Sequence, residues 1–198
     1  MFKRLVDKPT LEVARGLLGC YLVRTLPNGK DLVGRIVETE GYLADDPACH
    51  AYAQRGRLAK GLSPTGRSAV MFAAPATAYV YLNYGLHWLF NIVTEKEGVA
   101  GAVLIRALEP ISGVAQMKVA RDTLKYSNLT NGPGKLTQAM QITGDFNGHD
   151  VFAAPLCLEK PAAPCRFSVV TRTRVGISKA VDKPWRFYVK DSQFVSKL

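Results

Sequence analysis

The sequence predicts an α+β fold, built on a curved antiparallel β-sheet core with flanking short helices and a protruding β-hairpin. Runs rich in β-branched and aromatic residues recur along the chain at strand length. Turn signals at residues 27–29 and 83–85 separate neighbouring runs, which indicates hairpins and antiparallel pairing. At 198 residues, of which 47% are hydrophobic, the chain is long enough for one substantial core. We therefore expect a single domain over residues 1–198.

The charge of the chain indicates the kind of partner it binds. Twenty-six Lys and Arg residues face 16 Asp and Glu residues, a formal net charge of +10. Such an excess is typical of proteins that bind a polyanion such as nucleic acid, without distinguishing DNA from RNA.

Other broad classes find no support in the sequence. No apolar run reaches the length of a membrane span, and the N-terminus lacks the apolar stretch of a signal peptide. We therefore expect no membrane partner, no secretion, and a location in the cytoplasm (the bacterial nucleoid) or the nucleus. The four cysteines form no Cys-x-x-Cys pair and the three histidines are scattered, so no metal site or disulfide framework is expected. We interpret the cysteines as small buried hydrophobic residues.

The first predicted elements are a short helix and a hairpin. Apolar residues at helical spacing predict a helix over residues 11–18, with Thr10 as its cap. The β-rich runs 21–25 and 32–40 are joined through residues 27–29, whose Asn-Gly pair tolerates positive φ. The second run should therefore be central to a small antiparallel sheet.

Residues 34–43 extend this strand and carry two carboxylates followed by an aromatic ring. Alternation along a strand predicts one shared face for Ile36, Glu38, Glu40 and Tyr42. A carboxylate beside a ring suits a site where a flat substrate stacks on Tyr42 while Glu40 holds or activates water. The alternative is an edge strand with two solvated acids.

Residues 44–68 show no periodicity and predict a long surface loop, of the kind that is functional or mobile. The loop carries four basic residues: Arg55, Arg57, Lys60 and Arg67. Residues 61–68 imitate a phosphate-binding loop, but Arg67 replaces the lysine and no strand precedes them. We therefore expect no nucleotide cofactor.

Residues 78–93 contain two strand-like runs that meet at residues 83–85, which predicts a second hairpin. Tyr79 and Tyr81 share one face, with a binding role and ordinary cross-strand packing as the alternatives. Tyr84 falls at the turn, where its ring has nothing of its own chain to pack against. We expect this ring to contact a binding partner.

Residues 100–108 form another apolar strand, with Arg106 embedded in it. A cation in such a run needs a partner, which could be Glu38, Glu40 or a phosphate. A helix should follow over residues 112–121.

The remainder of the chain supplies further basic residues. Residues 131–135 predict a tight turn before a helix over residues 136–142, where free N–H groups and Lys135 suit a phosphate. The alternative is a plain turn with a surface lysine. The β-rich runs 167–171 and 185–189 accompany five basic residues that belong either to a polyanion-binding face or to a merely solvated surface: Arg172, Arg174, Lys179, Lys183 and Arg186.

Several short motifs occur in a fixed order over nearly the whole chain: Arg-Ile-Val-Glu-Thr-Glu-x-Tyr at 35–42, Met-Phe at 71–72, Tyr-Val-Tyr at 79–81, Tyr-Gly at 84–85, Asn91, Leu-Ile-Arg-Ala-Leu-Glu-Pro at 104–110, Asn-Gly-Pro-Gly-Lys-Leu at 131–136 and Arg-Phe-Tyr-Val at 186–189. Each alone is weak. Together, in this order, they resemble the alkyladenine (3-methyladenine) DNA glycosylase family.

The resemblance implies a monofunctional enzyme that acts on duplex DNA as a monomer and without a cofactor. Such an enzyme flips an alkylated or deaminated purine out of the duplex and hydrolyses its N-glycosidic bond, which starts base excision repair. Glu40 then resembles the general base that activates the attacking water, and Arg106 a residue that supports this catalytic site.

The resemblance also implies binding roles. Tyr42 and His50 resemble the two faces of the slot for the flipped base, with Tyr81 closing it, while Asn91 resembles the residue that discriminates against the guanine amino group. Tyr84 resembles the wedge that intercalates where the base has left. With the resemblance added, we expect contacts to the DNA backbone from Lys135, Arg174 and Tyr79.

Two other functions remain open from the residues. The chain could be a non-catalytic nucleic-acid-binding domain that stacks unpaired bases on its tyrosines. A carbohydrate hydrolase using Glu38 and Glu40 fits less well, because neighbouring carboxylates on one strand face do not bracket a sugar. An amine-nucleophile mechanism at Lys135 is a further variant of the enzyme hypothesis.

Overall fold

One antiparallel β-sheet, curled into a half-barrel, organises the computed structural model, which describes residues 5–162 and 166–197. Within those residues the sheet has eight strands in the order β3-β4-β5-β2-β1-β6, with β8 pairing to both β2 and β7. The strands are β1 (Tyr21–Thr25), β2 (Asp31–Leu43), β3 (Ala78–Asn83), β4 (His87–Val93), β5 (Gly101–Ser112), β6 (Leu156–Glu159), β7 (Val169–Arg172) and β8 (Arg186–Val189).

The helices are short. They are α1 (Thr10–Gly16), α2 (Arg55–Leu58), α3 (Val114–Arg121) and α4 (Pro133–Ala139), with 3₁₀ turns at His50–Gln54, Gly66–Phe72, Tyr126–Asn128 and Gly144–Phe146. The α+β class with an antiparallel sheet is therefore confirmed. Among the described residues, no helix combines the length and the apolar character that crossing a bilayer requires.

Both predicted hairpin pairings are present. β1 pairs antiparallel with β2 across a turn in which Gly29 has φ +76°. β3 pairs antiparallel with β4, from Ala78 opposite Ile92 to Asn83 opposite His87. The central position of β2 is also confirmed, because β2 pairs with β1, β5 and β8. That the β3–β4 hairpin protrudes as a wedge stays a prediction.

The strict alternation expected along β2 is interrupted. The register between β2 and β5 shifts between Ile36 and Glu38 and again before Thr39, which is the mark of a β-bulge. Ile36 is fully buried in the main hydrophobic core, and a Cβ at Gly41 would point at α1. The prediction that Ile36 shares the surface of the two carboxylates is therefore wrong, because the bulge changes which side chains face the core.

Two other local predictions are corrected. Thr10 does not cap α1 with its side chain, because its hydroxyl hydrogen-bonds Thr94 and Glu95 beyond β4, at 2.9 and 2.8 Å. Residues 44–68 are not a featureless loop, since they contain two helical turns and the start of a third. The Gln54 side chain closes this segment, donating to the Thr65 carbonyl and the Ser68 hydroxyl at 3.0 Å each.

The core has two parts. The larger lies between the sheet and the helices α1, α3 and α4, and includes Val13, Ile105 and Leu136. The smaller gathers Cys49, Met71, Phe72 and Tyr79. Tyr81, the other aromatic residue of β3, packs against this smaller cluster, so the cluster supports both rings.

The cysteines follow the prediction in part. Cys20 and Cys49 are buried, whereas Cys157 is half-exposed on β6, and Cys165 lies outside the described residues. The strand β6 itself has no counterpart in the sequence prediction.

Candidate active site

Glu38, Glu40 and Arg106 form a buried ionic network on the inner face of the sheet. Both carboxylates are fully buried on β2, and Arg106 reaches them from the adjacent strand β5. The Arg106 Nε lies 3.3 Å from Glu38 Oε1, and its Nη1 lies 3.3 Å from Glu40 Oε2. The prediction that Arg106 pairs with Glu38 or Glu40 is confirmed, and Arg106 pairs with both.

Glu38 is bound on every side. Its Oε1 accepts from Arg186 Nη1 and from the Ser196 hydroxyl, each at 2.9 Å, and its Oε2 accepts from the Ser196 amide at 2.7 Å. With Arg106 as a second cation, its charge is shared between two guanidinium groups. Such an arrangement stabilises the ionised carboxylate in a dry environment.

Glu40 is held differently. Its Oε2 accepts from the Tyr42 hydroxyl at 2.9 Å as well as from Arg106, while its Oε1 accepts from the Val175 amide at 2.7 Å. A carboxylate offers about four acceptor positions, so these three donors leave room for one more at Oε1. Burial raises the pKa of Glu40, and Arg106, the Val175 amide and the Tyr42 hydroxyl oppose that rise.

Tyr42 is fixed at both ends. Its hydroxyl donates to Glu40, and the guanidinium carbon of Arg174 lies 4.6 Å from the centre of its ring. Burial and the neighbouring carboxylate raise the pKa of the Tyr42 phenol well above its usual value, so it remains a donor. The predicted pairing of carboxylate and ring on β2 is present as a direct hydrogen bond.

A cavity of about 1060 Å³ opens beside this network. Eight of the predicted site residues line it: Tyr42, His50, Tyr79, Tyr81, Tyr84, Asn91, Arg106 and Lys135. Glu40 is fully buried and does not line the cavity. Tyr42 and Arg106, which both hydrogen-bond Glu40, do line it. Val175, whose amide binds Glu40, also reaches the cavity.

One wall of the cavity is aromatic. The His50 and Tyr81 rings lie 4.7 Å apart at an interplanar angle of 73°, and Tyr79 and Tyr81 lie 5.1 Å apart. The His50 Nδ1 is 2.8 Å from the Tyr79 hydroxyl. Burial and the nearby Arg67 lower the pKa of His50, and burial raises the pKa of Tyr81 to about 12. These shifts favour neutral rings at neutral pH, as stacking on a flat ligand requires.

Asn91 and Tyr84 differ strongly in their exposure to solvent. Asn91 is buried, and its Nδ2 donates to the Tyr79 carbonyl across the hairpin at 3.0 Å, so its amide is fixed in orientation. Tyr84 occupies the hairpin turn with φ +50° and is 87% exposed, next to Leu86 at 75%. Since an exposed aromatic at a strained turn gains nothing from its own fold, it is suited to contact with a partner.

Comparisons with known proteins identify the family of this chain. The family model for methylpurine-DNA glycosylase matches residues 4–193. The chain belongs to this family. The predicted enzyme class, a hydrolase acting on the N-glycosidic bond of DNA, is thereby confirmed, with DNA damage repair as its setting.

Bacterial relatives are similar over nearly their full length. A protein of Salinibacter ruber is 49% identical over 191 residues, covering 96% of this chain and 93% of its own. Relatives from Chlorobium luteolum and Francisella tularensis are 46% and 44% identical, covering 98% and 95% of this chain and 95% and 94% of their own. All three carry the provisional name 3-methyladenine DNA glycosylase.

In this glycosylase-family chain, the fold buries two of the side chains that were predicted to contact the DNA backbone. Arg174 is buried, with both terminal nitrogens engaged by Asp46 and one also by the Gly41 carbonyl. Tyr79 is also buried, with its hydroxyl at His50. Partners on other elements engage the terminal nitrogens of Arg174 and the hydroxyl of Tyr79, and contact of either side chain with the DNA backbone stays a prediction. Arg186 is likewise buried against Glu38 rather than part of a polyanion-binding face.

Lys135 keeps its predicted place at the start of α4, on the cavity lining. Its Nζ donates to the Asn128 and Asn131 side chains. Burial, Arg121 and Lys125 lower the pKa of Lys135. Its contact with a phosphate stays a prediction.

Some residues of the site were missed by sequence reasoning. Val175, Ser196 and Asp46 complete the environments of Glu40, Glu38 and Arg174 from sequence distances of 135, 158 and 128 residues. None of them carries a local motif.

Proposed function

We propose that this methylpurine-DNA glycosylase-family protein releases 3-methyladenine and related alkylated or deaminated purines from duplex DNA by direct attack of a water that Glu40 activates. The observation that carries the proposal is the environment of Glu40, which is buried behind the cavity lining, held by three donors and left with one acceptor position. A buried carboxylate with a raised pKa is a stronger base than a solvated one.

Base flipping is the first step. A purine inside the stack cannot reach a buried carboxylate, so the nucleotide rotates out at a cost of a few kcal/mol, lowest for damaged pairs. Tyr84, 87% exposed at the hairpin turn, fills the vacated space, and stacking of an aromatic ring on a base offsets roughly 1–3 kcal/mol.

The flipped base then enters the aromatic slot. Tyr42, His50 and Tyr81 are half-buried on the cavity lining, where they can hold a flat ring between them. An alkylated purine with a positive charge gains additional attraction from the aromatic faces. Asn91, whose amide is fixed by the Tyr79 carbonyl, presents a rigid group that excludes the extra amino group of guanine.

Hydrolysis follows at the sugar carbon C1′. The water oxygen forms a bond to C1′ while the bond from C1′ to the purine nitrogen breaks, and its electron pair stays on the departing base. Glu40 takes the proton of the water. Arg106 Nη1, 3.3 Å from Glu40 Oε2 and 3.4 Å from the Val175 carbonyl, opposes the rise in the Glu40 pKa that burial causes and holds the carboxylate in position.

Neither a cofactor nor a covalent amine intermediate is needed for this route. The proposed partner is double-stranded DNA that contains a damaged purine, bound by a monomer inside the bacterial nucleoid or the nucleus. The +10 net charge supports a DNA partner.

The test is the identity of any base released from alkylated duplex DNA. Wild-type protein is expected to release 3-methyladenine, and Glu40→Gln to lower the single-turnover rate about 10²–10⁴-fold while binding to damaged DNA persists. Glu12→Gln, a change at an exposed carboxylate on α1, is the matched control and should leave the rate unchanged.

Two results would contradict the proposal. An unchanged rate in Glu40→Gln would remove this residue from catalysis. No base release by the wild type, together with salt-dependent binding to undamaged single strands, would favour the non-catalytic binding domain instead.

A further inference from the structure

The cavity lining has a charge imbalance that the proposed roles leave unexplained. Among the described residues that line it, five have cationic side chains and none is Asp or Glu. The cations are Arg67, Arg106, Arg121, Lys135 and Lys179. A lining of this kind favours anionic groups, yet the purine that the slot is proposed to take carries no negative charge.

The cations differ in how their donors are occupied. Arg106 is bound to the two buried glutamates, Arg121 to the Leu129 carbonyl and Gln138, and Lys135 to two asparagines. Arg67 and Lys179 are both exposed, and within residues 5–162 and 166–197 no hydrogen bond or ion pair engages either side chain. Of the two, Arg67 contacts the aromatic slot, at the Tyr81 ring. Its five N–H donors are therefore available to a ligand.

Arg67 also has a defined place relative to the aromatic slot. It lies in the 3₁₀ turn Gly66–Phe72, and its guanidinium carbon is 5.4 Å from the centre of the Tyr81 ring. Burial lowers the pKa of His50 and the charge of Arg67 lowers it further, so the field of Arg67 reaches into the slot. The segment before it is closed by the Gln54 bonds to Thr65 and Ser68, which fixes the position from which Arg67 extends.

We propose that Arg67 binds the phosphodiester group attached to the flipped nucleotide. The phosphates stay covalently attached to the sugar, so a nucleotide that enters the slot brings them to the rim where Arg67 lies. An arginine fork matches phosphate oxygens in a bidentate geometry. A contact with the base itself is disfavoured, because an alkylated purine with a positive charge would be repelled by the guanidinium.

This inference rests on the proposed base-flipping function and gives the basic segment 55–68 a role in it. The contact would form only after flipping, so Arg67 would increase the stability of the flipped state rather than that of the encounter complex. Arg57, another basic residue of this segment, is also exposed but does not line the cavity. Its Nε donates to the Ser63 carbonyl at 3.2 Å.

The test combines a protein change with a change in one phosphate. Duplexes carry one hypoxanthine, a deaminated purine without the guanine amino group, with either normal phosphates or a neutral methylphosphonate on the 5′ or the 3′ side of the lesion. Arg67→Gln is expected to lower kcat/KM for base release about tenfold on the normal duplex, and one of the two methylphosphonates to lower the wild-type value by a similar factor. On that duplex Arg67→Gln should cause no further loss.

Arg57→Gln is the control, and it should keep the full response to the methylphosphonate. Losses that multiply when Arg67→Gln is combined with each methylphosphonate would overturn the proposal, as would an unchanged kcat/KM in Arg67→Gln on the normal duplex. Failure of the proposed function is distinguishable, because the wild type would then release no hypoxanthine from the duplex with normal phosphates.

Discussion

Glu38 and Glu40 lie two residues apart on one strand, are both fully buried and share Arg106, yet their surroundings differ. Glu38 pairs with two arginines and with both donors of Ser196. Glu40 pairs with one arginine and two neutral donors, and its pKa is raised by burial. Two equally buried carboxylates therefore differ in how far their charge is compensated. The charge of Glu38 is shared with two arginines, whereas Glu40 has one arginine and the raised pKa that the proposed mechanism requires.

The largest effect is expected from Glu38→Ala. Within the described residues, Glu38 is the carboxylate that forms an ion pair with Arg186. Removing Glu38 therefore leaves the buried Arg186 guanidinium without an ionic partner. This loss should lower the free energy of unfolding by about 3–5 kcal/mol. Urea denaturation would measure this change. Glu40→Ala is the matched control with a smaller loss, because Arg106 keeps Glu38. Equal losses would abolish the distinction between the two carboxylates.

A smaller effect is expected from Tyr42→Phe, which keeps the ring and removes the hydroxyl that donates to Glu40. A hydrogen bond to a charged group contributes about 1.5–3 kcal/mol, and this one opposes the rise in the Glu40 pKa. The acid limb of the pH–rate profile for base release should therefore move to higher pH. Tyr81→Phe, which has no such bond to Glu40, should leave that limb in place, whereas the same displacement in both variants would contradict this account.

The smallest effect concerns stability and pH in Glu40→Gln. Because the pKa of Glu40 is raised in the folded state, its stabilising contribution is complete below its ordinary value of 4.5 and is lost as pH rises through the folded value. The variant cannot ionise at this position. Its free energy of unfolding relative to the wild type should therefore increase between about pH 4 and about pH 8. Urea denaturation at both pH values checks the sign, and a decrease would mean that Arg106 overcompensates the burial.

The elements that could be predicted are those that depend on neighbours in sequence. Asn28-Gly29 and the turn at Tyr84 produce hairpins because turn geometry is decided by a few adjacent dihedral angles. The pairing of Glu40 with Tyr42 followed from strand alternation alone. The bulge after Ile36 could not be predicted, because it depends on how β2 pairs with β5 more than sixty residues later.

The side-chain partners belong to the second group. Arg174 and Arg186 are predicted from their sequence neighbours to be surface cations, on a polyanion-binding face or merely solvated, but the fold buries them against Asp46 and Glu38. The sequence by itself determined the α+β class, the carboxylate strand, the exposed turn tyrosine and the family, since these depend on local pattern and on motif order. Tertiary structure alone decided which cations are structural and which carboxylate keeps an acceptor position, because burial and ion pairing join residues more than a hundred positions apart.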